Sequence, residues 1–190
     1  MGRVTDVRST WGPELFISVH NRRMSVWGAT EEQRKIVENT FSILPSAHVE
    51  LVPFVVIGDT VGPASRPIET GGASIERNHV MVRMDIASRA FTPSKIKTVR
   101  GKEALLTIGH ETGHFVDKKL HIQGRLRVNN TIDEKRMMCE WLFGNRYRGR
   151  TDYNSSPYRG LGEAVAEAYW KIQFGIQIPQ SIQRLILSKL

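Results

Sequence analysis

Residues 110–114 read His110-Glu111-Thr112-Gly113-His114, and this stretch predicts both the fold and the chemistry of the chain. On a helix the two histidines stand at i and i+4, so their imidazoles leave one face a turn apart and can bind a single ion. Zinc hydrolysis needs such neutral nitrogen donors, an open position for water and a nearby carboxylate that takes a proton. The stretch therefore predicts His110 and His114 as zinc ligands and Glu111 as the general base.

The sequence around this stretch predicts one buried helix from Lys102 to about Leu120. Apolar residues recur there at helical spacing, good helix formers lie between them, and no proline interrupts the run. Gly113 lies inside the predicted helix, where a glycine lowers helix stability. Such a glycine is tolerable where another backbone or strand passes close by, so we expect a close contact at Gly113 beside the metal.

Two histidines leave a catalytic zinc site one protein ligand short. The short pattern that places this ligand on the same helix is excluded, because the residue there is Leu120, and His121 is expected to be a surface histidine near the helix end. Further along, Glu163 and Glu167 stand at i and i+4 on a second predicted helix of small and apolar residues. If both carboxylates point inward, a cation relieves the cost of burying them. The alternative is a solvated stripe of glutamates.

With these two motifs the chain resembles the catalytic domain of anthrax lethal factor and its single-domain relatives, including the secreted Pro-Pro endopeptidases. These are zinc metalloproteases of the gluzincin type, and the resemblance covers about residues 102–175. It implies a zincin-like α+β fold with a small mixed sheet, an active-site helix and C-terminal helices. The site residues that it implies are His110, His114 and Glu163 as ligands of Zn²⁺, Glu111 as the base, and Glu167 and Asp117 as carboxylates that support the ligands. The regulatory proteases of the ImmA/IrrE type are a second resemblance, although the interval between the two motifs is long for them.

The loop 149–159 holds the remaining candidates for the site. The family places a tyrosine ahead of the third ligand, where its hydroxyl donates to the oxyanion formed at the scissile carbonyl. Tyr158 and Tyr153 both precede Glu163, and we favour Tyr158 because it lies just ahead of the helix. Asp152 is the rival third ligand, because the segment around it loosely resembles an aspartate-bearing element of another zincin group.

The segment before the motif helix predicts a mixture of helix and strand. Thr30 and Gln33 form a capping box that opens a helix running to about Leu44. Strands are predicted at His48–Ile57 and Val80–Ile86, and a loop is predicted from Gly58 to Gly72.

The second of these strands is the candidate substrate strand. In zincin-like folds the last strand before the motif helix pairs with an extended substrate, so Val80, Val82 and Met84 are expected along a substrate edge. The alternative is a plain strand inside the sheet. After the second motif, Pro179 precedes a short amphipathic segment that predicts a closing helix within Ile176–Leu190.

Length and composition limit the classes of protein to which the chain can belong. A chain of 190 residues with 40% hydrophobic content predicts a single globular domain over residues 1–190. Its lone cysteine, Cys139, excludes disulfides within the chain and is expected to be a buried thiol on a helix at Ile132–Phe143. No stretch approaches the roughly 18 apolar residues of a membrane span. The amino terminus lacks the apolar core of a secretory signal, so we expect a cytoplasmic protein or one exported by another route, such as a delivered effector.

The formal net charge of +8 raises the question of nucleic acid. The basic residues are dispersed, and the chain carries no recognised nucleic-acid-binding motif, so a protein or peptide substrate is the expected partner. The rival function is a non-catalytic domain that keeps the zincin fold for recognition and contacts nucleic acid or an acidic protein through its basic surface. An intact Glu111 argues against it, because a degenerate protease typically loses the base.

Overall fold

The computed structural model of the protein describes residues 11–58, 71–75, 81–128, 133–144 and 160–190, with the backbone alone at 71–75 and 81–82. These residues form an α+β structure with a small mixed sheet and several helices. They fall into two compact units, Met1–Glu111 and Thr112–Leu190. The boundary between the units lies inside one continuous helix, which carries the motif.

All the described strands lie in the first unit. Its elements are β1 (Glu14–Val19), β2 (Arg22–Trp27), α1 (Glu31–Ile43), α2 (Ser46–Val49), β3 (Val55–Ile57), β4 (Gly71–Ile75), β5 (Met81–Ile86), a 3-10 turn (Ser88–Ala90), β6 (Ile96–Val99) and β7 (Lys102–Leu105). The five-stranded sheet has the order β1-β2-β3-β5-β4, and β6 pairs only with β7 in a separate hairpin. The β2–β3 and β3–β5 pairs are parallel, whereas β1–β2 and β4–β5 are antiparallel.

Helix α1 forms where the sequence predicts it. The Thr30 side chain accepts from the backbone N–H of Gln33, and the Gln33 side chain accepts in return from the backbone of Thr30, which completes the capping box. The inner face of the helix, including Val37 and Phe41, is fully buried against β1 and β7. The hydroxyl of Thr40 accepts from the Leu105 backbone N–H at 2.9 Å, so α1 is bonded directly to the strand before the motif helix.

The β1–β2 hairpin is fastened to the end of α1. Its two-residue turn, His20-Asn21, has positive φ at both positions, as the favoured type I′ hairpin turn requires. The His20 Nε2 atom lies 2.9 Å from the carbonyl oxygen of Leu44 and 3.3 Å from that of Phe41. An N–H at this nitrogen donates to these two carbonyls at the helix end, and the carbonyl of Phe41 also accepts from the backbone N–H of Leu44.

The prediction that Val82 and Met84 lie on an edge strand is wrong, and Val80 lies outside the described residues. Strand β5 pairs with β3 in parallel on one side and with β4 in antiparallel register on the other. The edges of the described sheet are therefore β1 and β4. The first two residues of β4, Gly71 and Gly72, were predicted as the end of a loop, and no strand was predicted there.

The β1 edge is covered by side chains of α1. Glu38 accepts from the backbone N–H of Ser18 at 2.9 Å, and Arg34 donates to the carbonyl of Phe16 at 3.4 Å. Arg34 also forms an ion pair with Glu38 at 3.1 Å. The two side chains thus occupy backbone groups that a neighbouring strand would otherwise use.

Two further predictions differ from the structure in the first unit. Residues 102–105 are strand β7 and not the first turn of the motif helix, because the positive φ of Arg100 and Gly101 turns the chain back against β6. The predicted strand His48–Ile57 is reduced to β3, because α2 follows Pro45 and Pro53 has no N–H for a strand ladder.

The second unit is helical. The motif helix α3 (Leu106–Leu120) leads into α4 (Ile122–Arg125), α5 (Glu134–Phe143), α6 (Leu161–Gln173) and α7 (Gln180–Leu187). Helices α4, α5 and α7 all pack on α6. The closing helix and the buried Cys139 on α5 are confirmed. Among the residues described, no helix is long and apolar enough to cross a bilayer.

Candidate metal centre

Helix α3 holds the motif rigidly because most of its surface is buried. Ile108, Thr112 and Val116 are completely inaccessible, which leaves only part of the helix face in contact with solvent. His114 keeps 20% of its side-chain surface exposed, whereas Glu111 is only 5% exposed. The motif therefore provides imidazoles that solvent can reach and a carboxylate that it largely cannot.

Helix α6 brings the third candidate ligand to the motif. The donor atoms of His110, His114 and Glu163 all lie within 4.8 Å of one another. They form the one group of this kind in the part of the chain that the structure describes. Glu163 lies in the first turn of α6, where the helix dipole favours an ionised carboxylate.

The donor set fits a zinc ion. Four donors placed tetrahedrally at about 2.0–2.1 Å from zinc are about 3.3–3.4 Å apart. The His114 Nε2 and Glu163 Oε1 atoms are separated by 3.4 Å. Two imidazoles and one carboxylate also leave a fourth position open, which is the donor pattern of catalytic rather than structural zinc sites. These three residues could therefore hold a metal ion.

The close contact expected at Gly113 is confirmed. A Cβ atom at this position would lie 2.7 Å from the Cα of Ala166 and 3.0 Å from its carbonyl oxygen. Helices α3 and α6 therefore cross with their backbones in contact, and the crossing lies one turn from both His110 and Glu163. Only glycine on α3 allows α6 to approach closely enough to bring its carboxylate to the histidines.

We expect Gly113→Ala to destabilise the protein and weaken zinc binding together. Alanine is favoured over glycine in a helix by about 1 kcal/mol, but a clash with a neighbouring backbone typically costs about 1–3 kcal/mol. The matched control is Gly124→Ala on α4, where an added Cβ meets no atom within 4 Å. Urea unfolding and zinc competition with a chelator measure the two effects. Unchanged stability and zinc affinity in Gly113→Ala would show that the crossing can relax.

Glu163 and Glu167 do not both point into an apolar interior, as one reading of the sequence expected. The Glu163 side chain is 56% exposed. Glu167 accepts from the indole N–H of Trp170 at 2.7 Å and forms an ion pair with Lys171 at 2.9 Å. Lys171 also lies over the ring of Trp141. The carboxylate of Glu167 thus contacts two residues of its own helix. One of them, Lys171 at i+4, was not predicted from the sequence.

Asp117 is buried, with 4% of its surface exposed. One carboxylate oxygen accepts from the backbone N–H of Gln123 at 3.0 Å, and the other accepts from the Gln123 side-chain amide. Burial raises the pKa of Asp117, and the bonds from Gln123 and the nearby His114 and His121 offset part of this rise. The hydrogen-bond partner of Asp117 is therefore Gln123, a residue that no motif singled out.

The other predicted site residues are distributed as follows. His121 is exposed at the end of α3 and does not belong to the ligand group, as expected. Tyr158, Tyr153 and the rival ligand Asp152 lie outside the described residues.

No known protein family, curated protein or solved structure gives a significant match to this chain.

Proposed function

We propose that the protein is a zinc-dependent endopeptidase. The observation that carries the proposal is the convergence of His110, His114 and Glu163, whose donor atoms lie within 4.8 Å of one another and come from two separate stretches of the sequence. A bound zinc ion would act as a Lewis acid that polarises the scissile carbonyl and lowers the pKa of water. The resemblance to the lethal factor type of gluzincin leads to the same activity and rests on the same residues.

Glu111 is the general base in this proposal. It follows His110 directly on α3 and does not belong to the ligand group, so we assign it the proton transfer and not a place on the metal. Its burial keeps bulk water away from the proton that it takes from the attacking water. The same carboxylate then returns the proton to the leaving amine. Tyr158, or its alternative Tyr153, is proposed to donate to the oxyanion.

The substrate is proposed to be an extended peptide. Strand β5 lies inside the sheet, and Arg34 and Glu38 occupy the β1 edge. We therefore propose that the peptide pairs with β4, the other edge of the described sheet. Pairing along a strand edge binds the peptide backbone and leaves the choice of sequence to side-chain pockets.

Metal content is the direct test of the site. Protein purified without added metal is expected to contain about one zinc ion per chain by elemental analysis, as a site with three protein ligands retains zinc. The matched control is His48→Ala, which removes a half-buried imidazole of α2 that lies outside the ligand group and should leave the zinc content unchanged. His114→Ala removes a candidate ligand and should contain little zinc. A wild-type protein that contains little zinc and binds none on titration would overturn the proposal.

Proteolysis is tested separately from metal binding. Zinc-loaded protein is mixed with a proteome-derived peptide library, and new termini are compared between the wild type and a variant without the base. Cleavage at shared sequence positions in the wild type alone supports the endopeptidase. Stoichiometric zinc with no new termini would favour the non-catalytic binding domain instead.

A further inference from the structure

Asp117 and Gln123 form a hydrogen-bonded pair at the end of the motif helix, which we call the strap. Asp117 lies one turn after His114 on α3, and both of its carboxylate oxygens accept hydrogen bonds from Gln123. A buried carboxylate requires such partners, because an unpaired charge in the interior is strongly unfavourable. The two bonds from one residue hold the start of α4 against the end of α3.

The chain between these two residues adopts an unusual conformation. His121 has φ of 51°, in the left-handed region that favours glycine, and it reverses the chain between α3 and α4. This reversal brings the backbone N–H of Gln123 to Asp117, only six positions earlier in the sequence. The strained turn is thus coupled to the hydrogen bonds that Asp117 accepts.

The amide nitrogen of Gln123 that donates to Asp117 also lies close to α6. A Cβ atom built on Gly162 would lie 3.1 Å from Gln123 Nε2 and 3.6 Å from its Cδ, so the amide group lies directly against the Gly162 backbone. Gly162 precedes Glu163 in the chain. Asp117, Gln123 and Gly162 therefore link the helix that carries two candidate ligands to the residue next to the third.

We propose that Asp117 and Gln123 are positioning residues that hold the first turn of α6 so that the Glu163 carboxylate lies beside His114. This role rests on the proposed zinc site. Glu163 is more than half exposed, so burial contributes little to holding its side chain, and the course of the α6 backbone determines where that side chain starts. Asp117 acts through Gln123 in this arrangement and not as a hydrogen-bond acceptor for a ligand histidine. Preorganisation of this kind lowers the ordering cost of binding.

The first test is Gln123→Met, which keeps the length of the side chain but removes the amide. Zinc affinity is measured with zinc alone, in competition with a chromophoric chelator, at a temperature where the variant is folded by circular dichroism. We expect the dissociation constant for zinc to rise about 10- to 100-fold, the typical loss when a partner beside a metal site is removed. Gln183→Met makes the same chemical change at an exposed position of α7 and should bind zinc as the wild type does.

The second test is Gly162→Ala, which adds a methyl group on α6 next to the Gln123 amide. Alanine should favour the helical conformation of α6, so a purely structural effect would leave zinc affinity unchanged or improve it. The proposal expects weaker zinc binding, because the added Cβ meets the Gln123 amide. This variant also decides the question if Gln123→Met does not fold.

The outcomes separate the two proposals. If the wild type binds zinc tightly and both variants match it, the strap has no positioning role while the zinc site stands. If the wild type binds no zinc, the proposed function fails, and the positioning role fails with it. Weaker zinc binding in both variants, with Gln183→Met unchanged, supports the strap.

Discussion

Replacing Glu111 with glutamine is expected to lower peptide turnover by about 10²- to 10⁴-fold, which is the usual contribution of a general base. Glutamine has nearly the same shape as glutamate but accepts no proton at neutral pH. Because Glu111 lies outside the ligand group, the variant should retain zinc at the level of the wild type. The measurement is kcat/KM on a peptide identified from the cleavage library, with zinc content determined on the same preparation.

The matched control for this substitution is Glu103→Gln. Glu103 is an exposed residue of β7 that precedes the motif helix, and it undergoes the same change of charge. Turnover by this variant should equal that of the wild type. Activity of Glu111→Gln within about tenfold of the wild type would mean that another group activates the water.

Glu163→Ala is expected to release zinc to a chelator of modest strength. The substitution leaves two histidines, and its effect on the zinc dissociation constant should exceed the roughly 100-fold limit that is typical of residues supporting a ligand. Glu167→Ala is the matched control, one turn later on the same helix. Because Glu167 is engaged with Trp170 and Lys171, its removal should affect the stability of α6 more than zinc affinity.

Asp152→Ala completes this comparison, because the sequence leaves Asp152 as the rival third ligand. We expect it to bind zinc as tightly as the wild type. The opposite pattern, with zinc lost in Asp152→Ala and kept in Glu163→Ala, would move the protein to the class of zincins with an aspartate ligand.

The elements that the sequence predicted well are those whose local signals agree with their packing. The capping box at Thr30, the helical spacing of the second motif and Pro179 ahead of the closing helix each determine an element from neighbouring residues alone. Gly113 was predicted correctly for another reason. A glycine in a helix has few purposes other than close approach, so its position implied a contact before its partner was known.

The errors arose where a distant partner decides the structure. Residues 102–105 carry a pattern compatible with helix or strand, and pairing with β6 selects the strand. The edge position assigned to β5 was wrong because the sheet order depends on where β4 pairs, which no local signal at 71–75 reveals.

The grouping of His110, His114 and Glu163 was predicted from the sequence, whereas Gln123, the hydrogen-bond partner of Asp117, was not. The spacing of His110 and His114 follows from helix geometry, whereas Gln123 reaches Asp117 only because His121 adopts a left-handed conformation. Histidine adopts that conformation rarely, and the residues next to His121 in the sequence do not indicate it. Supporting residues of this kind become apparent only when the path of the backbone is known.

The side chains that cover the β1 edge affect how the protein can be engineered. An unblocked edge strand is a template for aggregation, since its free N–H and C=O groups can pair with another molecule. Arg34 and Glu38 prevent this by bonding to Phe16 and Ser18. Surface redesign of α1 should therefore leave this charged pair unchanged, because its two side chains protect a strand edge as well as the helix surface.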